Sequence, residues 1–387
     1  MKFFRRIYRV IYLAVALTVC ASACRAEEAF VIQDTGLDLT ESLSIHYPSV
    51  SGPGDAELLD RINHLIQDRC RIGEYLTRTA RLLSGGNLKT DWKGTVLGDV
   101  FSCVVSAEGT LETTRNTHIW TAVNVDLRDG HEIMLPELFT DEAAARERME
   151  AYLEETVAPE LIAYPQDSML TPIPDVFCLE LSGLTLLYPV NRFSTLKDRA
   201  GDVRISWNIL RDELDLSGES ILNRIGVKDM ITLTENGAVQ LLASAAGGSL
   251  TGIPARIGDS VQEMTDRYHM LTDPDGFEGG RLFALEGGCF RGVYLMTDDL
   301  SRDWENSTVQ GIRMDQGCLW GLCVGETARE EWLAVLGEPD GTTELGEEKA
   351  ESNRLVPGFC DYYNCGDYLL QLYSNEDGTL VSVILAE

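Results

Sequence analysis

Between Asp55 and Arg69 the apolar residues Leu58, Leu59, Ile62, Leu65 and Ile66 recur three and four positions apart. That period puts them on one face of a helix, so the segment is expected to bury a stripe against a sheet. A strand is expected just upstream, over Ser42 to Tyr47, closed by the Pro/Gly turn that follows it. "GDVFSCVVSAEG" and "THIWTAVNVDLRDG" alternate apolar and polar residues with the period of half-buried strands, and Asp129-Gly130 ends the second in a turn that favours a hairpin. Helical spacing returns in "MLPELFTDEAAARERMEAYLEETVAPEL", with Asp141 as N-cap. Three further strands are expected in "VFCLELSG", "LTLLYPV" and "DVRISWNIL", the first two split by a turn at Ser182-Gly183. Strand, helix, strands, helix, strands is the order of an α+β unit: a mostly antiparallel sheet with helices packed on one face.

Residues 215–249 read as a connecting segment with a short helix, a hairpin around Glu235-Asn236-Gly237 and an Ala/Gly/Ser linker. Beyond them one pattern occurs twice. "ARIGDSVQEMTDRYHMLTDPDG" at 255–276 aligns with "LCVGETAREEWLAVLGEPDG" at 322–341, so that Ile257-Gly258-Asp259-Ser260 falls on Val324-Gly325-Glu326-Thr327. Each copy runs from a small N-cap, Ser260 or Thr327, through an amphipathic helix and a Pro-Asp-Gly break into an antiparallel meander ending in "TVQGIRM" or "TLVSVIL". One such unit is marginal alone, whereas two side by side, at 250–316 and 317–387, share a core.

Two family resemblances rest on these strings. "IHYPSVSG…DAELLDRINHLI", "VNVDLRDGHEIMLPELF" and "FCLELSGLTLLYPV…VRISWNIL" resemble the paired DUF4163 and DUF3298 extracellular domains over residues 39–214, most specifically in the string from Asp126 to Phe139. That pair occurs in lysozyme-sensing anti-sigma factors (RsiV-like) and ahead of the deacetylase domain of PdaC-like enzymes. "SAEGTLETTRNTH" replaces the turn that many relatives carry between the two middle strands, so no ligand contact of that turn carries over. The tandem units are similar to β-lactamase-inhibitor-protein-like (BLIP-like) repeats, which implies a binding scaffold without naming its target.

The N-terminus says where such a scaffold would work. "MKFFRRIYR" carries Lys2, Arg5, Arg6 and Arg9 with no acid, and the apolar run from Val10 to Ala23 follows it. A membrane helix needs about 20 apolar residues. A basic start, a short apolar core and a small-residue end are instead the parts of an export signal, expected over 1–23. "ASAC" resembles the bacterial lipobox, which makes Cys24 the expected lipidation site and 24–38 an exposed tether; cleavage after Ala23 or Ala26 would instead release a secreted protein. With nine residues ahead of the apolar run, a cytoplasmic sigma-binding domain is not expected, and no polysaccharide-deacetylase motif follows downstream.

The chain carries a formal charge of −30, and losing the four positive charges of 1–23 takes it to −34. Such a surface repels nucleic acid and steers cationic partners toward it. Cys318/Cys323 and Cys360/Cys365 share one spacing and are candidate disulfide cysteines, with free buried thiols as the alternative; no metal and no cofactor is expected. Ser194-Thr195-Leu196-Lys197 matches S-x-x-K without its partner motifs, and His46, His64, His118, His131 and His269 show no ligand spacing, so no catalytic residue is assigned. Tyr362, Tyr363 and Tyr368 beside Asp361 and Asp367 are the candidate binding surface, against the alternative that these tyrosines fill a core. The expectation is a non-enzymatic lipoprotein on the outer face of the cell membrane, held there through its lipid alone. It would bind a protein or cell-wall ligand, with a lysozyme-like basic protein as the specific case. The alternative is an envelope-assembly accessory that holds another surface protein.

Intact mass of membrane-extracted protein is expected to show a chain beginning at acylated Cys24. A lipid-free chain beginning at Glu27 would refute the tether.

Overall fold

The computed structural model of the 387-residue chain describes residues 30–83, 85–110, 116–158, 170, 172–188, 201–267, 275–277, 280–285, 292–298 and 306–387. The export signal, Cys24, Ser194 and His269 lie outside the described residues. The fold is α+β, as the order of elements implies.

The first sheet holds β1 (Val31–Thr40), β2 (Leu43–Ser51), β3 (Leu88–Leu97), β4 (Val100–Thr110) and β5 (Asn116–Asp126) in that order. All neighbours are antiparallel except β2 and β3, which run parallel because α1 (Ala56–Arg69) and α2 (Ile72–Leu82) form a crossover between them. Asp55 caps α1, its carboxylate accepting the Leu58 N–H at 2.7 Å, and the expected stripe turns Ile62 and Ile66 fully inward. They pack with Ile72 and Tyr75 of α2 on Ile45, Leu88, Phe101, Val105 and Val125. Two elements here depart from expectation. Residues 31–38, expected as tether, form most of β1, an edge strand whose side chains are mostly exposed and which therefore lacks the burial pattern of a strand. Arg71, in the left-handed region at φ 59°, breaks the helical stretch and starts α2 as a separate helix.

β6 (Phe177–Glu180), β7 (Gly183–Leu187) and β8 (Asp202–Ser206) form an antiparallel three-stranded sheet. Its first strand lies on β4 and β5, where buried polar groups satisfy one another. Ser102 Oγ accepts the Leu179 N–H at 2.7 Å and donates to Asn124 Oδ1 at 2.7 Å, and Asn124 donates to the Phe177 carbonyl at 3.0 Å. α3 (Glu142–Tyr152) has the expected Asp141 cap.

The connecting segment is neither hairpin nor linker. It folds as α4 (Ile221–Arg224), α5 (Val227–Ile231) and α6 (Glu235–Ala246). Thr234 caps α6 by accepting the Gly237 N–H, so the Asn236-Gly237 pair that suggests a hairpin turn sits in the first helical turn. The small residues that suggest a linker let α6 press Ala238, Leu241 and Ala245 into the core.

The last sheet has eight strands in the order β15-β16-β17-β18-β12-β11-β10-β9. One half holds β9 (Asp275–Phe277), β10 (Gly280–Ala284), β11 (Val293–Thr297) and β12 (Gly311–Met314); the other holds β15 (Gly341–Leu345), β16 (Gly358–Cys365), β17 (Tyr368–Asn375) and β18 (Leu380–Ala386). A small hairpin, β13 (Cys318–Leu319) and β14 (Leu322–Cys323), links the halves. Each half begins with a helix, α7 (Val261–Arg267) or α8 (Arg329–Leu336), and α9 (Glu347–Ser352) lies between β15 and β16. Two hydrogen bonds correspond between the halves: Gly258 N–H to the Val309 carbonyl answers Gly325 N–H to the Leu380 carbonyl, both at 2.8 Å. Val309 N–H to the Asp259 carbonyl answers Leu380 N–H to the Thr327 carbonyl, which shifts the alignment by one residue. Ser260 thus corresponds to Ala328, and Thr327 is not a cap. Its hydroxyl is turned inward, accepting the Cys323 N–H at 2.8 Å, while the Glu331 carboxylate takes the Ala328 N–H.

The second core runs without a break from α3 and the three-stranded sheet through α4–α6 to the eight-stranded sheet. Arg224 of α4 ties it to the first sheet, donating to Asp99 and Asp126 at 2.6 Å each, with Arg128 also on Asp126 at 3.1 Å. Burial alone would raise the Asp126 carboxyl pKa, but the guanidinia of Arg128 and Arg224 hold it below the usual carboxylate range. Asp126→Asn removes the more deeply buried of the two charges that balance Arg224 and is expected to cost about 3 kcal/mol at neutral pH in urea unfolding. Because the folded pKa is depressed, that stability is present above the unfolded value near 3.9 and is lost as pH falls through the folded one. The gap between the variant and the native protein should therefore close in acid.

Candidate binding face

The eight-stranded sheet covers one face with helices, α6 lying on β16 and β17. On the opposite face a continuous row of paired residues crosses the sheet. Gly341 opposes Tyr362, Tyr362 opposes Gln371, and Gln371 opposes Ile384. Ile384 opposes Arg313, and Arg313 opposes Tyr294. Directly opposed residues of an antiparallel pair share a face, so these side chains form one row. Its centre is closed. Arg313 donates to the carbonyls of Asn353 and Arg354 at 2.8 and 2.7 Å, drawing the chain after α9 across β12, and is only 3% exposed. Arg313 also lies 6.0 Å from the Tyr294 ring centroid. Tyr362 and Tyr294 flank the closed centre half-buried. Tyr362 lies over Gly341, where any Cβ would collide with its hydroxyl.

Strand alternation divides the residues expected to form a binding surface. Tyr362 is on the row, but Asp361 and Tyr363 point the other way and are 1% and 6% exposed. Asp361 is a structural centre: Arg329 grips it with two hydrogen bonds of 2.7 Å, Thr342 donates at 2.6 Å and the Trp332 indole at 3.3 Å. Burial works to raise its pKa, and these donors, Arg329 foremost, hold it below the usual value. Tyr363 donates to the Gly337 carbonyl, and Tyr368 packs against the core and Gly248. Asp367 is exposed in the β16–β17 turn. Those five residues therefore do not form one surface. Tyr294, Gln371 and Arg313 join Tyr362 instead, and only strand parity across four pairings could have found them.

Of the candidate disulfide cysteines, Cys318 and Cys323 are bonded to each other, while Cys360 and Cys365 are free and buried. Burial pushes the Cys360 thiol up to about 11 and the Cys178 thiol up to about 12, so both are poor nucleophiles. Asp126, Asp129 and His131 bring ligand atoms within 4.8 Å of one another, but the Asp126 oxygens already accept from Arg128 and Arg224. Those positive guanidinia oppose a cation there. Ser106 Oγ and His118 Nε2 meet at 2.6 Å on adjacent strands.

His46 of β2 is held in a polar contact at the surface. Asp34 and Asp38 of β1 bond its two ring nitrogens at 2.7 and 3.1 Å, and the Trp92 indole donates to Asp34 at 2.7 Å. Gly36 lies opposite His46 and leaves room for the ring, since a Cβ there would sit 2.5 Å from it.

No protein-family model and no curated protein matches the chain. Its structural neighbours include DUF3298 family proteins. One, from Bacteroides fragilis, is 14% identical with a TM-score of 0.40, the alignment covering 52% of this chain and 98% of that one. Another, from Pseudomonas aeruginosa, is 10% identical with a TM-score of 0.34 over 49% and 94%. A DUF4309 family protein, YjgB of Bacillus subtilis, is 16% identical with a TM-score of 0.29 over 40% and 97%.

Asp34 first, then Asp38, raise the His46 pKa above its ordinary 6.5. Stability from these contacts is present below the unfolded value near 6.5 and is lost as pH rises through the folded one. Gly36→Ala should push the ring from between the carboxylates and return its pKa toward 6.5, read by NMR titration of the imidazole. An unchanged titration would contradict this geometry.

Proposed function

We propose that the protein is a non-enzymatic lipoprotein, exported and held on the outer face of the cell membrane through Cys24, that binds a protein or cell-wall ligand. The observation that carries this reading is the row of Tyr362, Gln371, Arg313 and Tyr294 across the face opposite α6. A broad antiparallel face with half-buried tyrosines on both sides of a closed centre suits a large partner, because tyrosine gives contact area at low entropic cost. The resemblance of 39–214 to the RsiV/PdaC-like pair DUF4163/DUF3298, and of the tandem units to BLIP-like repeats, supports a binding scaffold. A formal charge of −30 favours a cationic partner such as lysozyme, whose encounter it would accelerate.

Calorimetry with lysozyme is expected to show binding that weakens from low to physiological salt. Tyr362→Ala or Tyr294→Ala should weaken it about tenfold. No heat at either salt would sink lysozyme as the ligand, and full affinity in both variants would move the interface elsewhere.

A further inference from the structure

The hairpin that joins the two halves of the last sheet carries a chemistry that ligand binding does not use. Cys318 and Cys323 oppose each other on β13 and β14, and Trp320 and Gly321 make the turn with both φ positive, at 50° and 79°. The turn is driven into the connecting helices. Gly321 N–H donates to the Met230 carbonyl at 2.9 Å, and a Cβ at Gly321 would lie 1.9 Å from the Leu233 nitrogen. Arg211, which follows β8, reaches across to the disulfide. Its Nη2 stands 3.1 Å from Cys323 Sγ and 3.6 Å from Cys318 Sγ, and its Nη1 pairs with Glu326 at 3.1 Å. Arg211 Nε is buried without a hydrogen-bond partner.

Divalent sulfur is a weak acceptor, so the guanidinium is poorly satisfied while the disulfide is closed. A thiolate in the same place would be a strong, charged acceptor at ion-pair distance. The two sulfurs also differ in access. Cys323 is 3% exposed, whereas Cys318 is half-buried and borders a small cleft that Ser182, Ser206, Gly252, Gln316 and Gly317 help to line.

We infer that Cys318–Cys323 is a thiol-exchange site, opened by a dithiol reductant that attacks Cys318 while Arg211 holds the thiolate leaving at Cys323. The reductant's thiolate bonds to Cys318 Sγ as the Cys318–Cys323 bond breaks, and that electron pair departs on Cys323 beside Arg211. The reductant's second thiol gives up its proton and displaces Cys318. It leaves as an intramolecular disulfide, having passed two electrons to the protein. One proton ends on Cys318, and the other goes to solvent while Cys323 remains a thiolate. A leaving thiol with a lowered pKa leaves faster, and that is the part Arg211 plays as a positioning residue.

The test treats the full-length oxidised protein with dithiothreitol under native conditions, quenches with iodoacetamide and maps the alkylated cysteines by peptide mass spectrometry. Cys318 and Cys323 are expected to open while Cys70, Cys103, Cys178, Cys360 and Cys365 stay unmodified. Arg211→Gln should slow opening about tenfold, Arg211→Lys should restore most of the rate, and Glu326→Gln, which frees the guanidinium of its counter-charge, should raise it. Thermal midpoints of the variants separate a rate effect from loss of fold, and Glu326→Gln, at a half-exposed carboxylate, keeps the test open if Arg211→Gln does not fold. Opening only together with the buried thiols would overturn the proposal. So would a native rate in Arg211→Gln, or in Glu326→Gln when Arg211→Gln does not fold.

Discussion

Four residue pairs, Gly311↔Ala386 to Met314↔Val383, join the two halves of the last sheet. Without them each half would be a short meander with one helix, too small to bury a stable core. With them the inward residues Ile312 and Leu385 are fully buried at the seam, and one apolar face runs the width of the sheet. The seam also builds the opposite face, because the pairing of Ile384 with Arg313 aligns Tyr362 and Gln371 on one side with Tyr294 on the other. Arg313 then draws the chain after α9 over the centre. Register at one strand pair thus sets both the core and the candidate interface.

Two polar contacts carry this order outward. The Arg224 clamp on Asp99 and Asp126 fastens the connecting helices to the first sheet, its two terminal nitrogens meeting separate carboxylates. The Cys318–Cys323 hairpin fastens the same helices to the last sheet through Gly321 and Met230. The segment between the sheets is therefore held at both ends, once by charge and once by a backbone contact that only glycine permits.

Much of the secondary structure was legible where burial and periodicity agree. α1 has its stripe and Asp55, α3 has Asp141, and the strands expected to end both repeats form β12 and β18. Legibility failed where local chemistry and burial disagree. β1 is an exposed edge with little apolar alternation, and Asn236-Gly237 has the chemistry of a tight turn inside a capped helix. Thr327 looks like a cap, yet one additional residue in the second repeat turns it inward.

The aromatic-acid segment shows where sequence stops. Alternation along β16 by itself determined that Asp361 and Tyr363 share one side and Tyr362 the other, because successive strand residues point to opposite faces. It did not determine which side α6 and α8 would cover, or that β12 would pair with β18. Those choices rest on contacts between residues far apart in the chain, and only the assembled sheet makes them. They placed Asp361 in the grip of Arg329 and left Tyr362 on the face opposite α6.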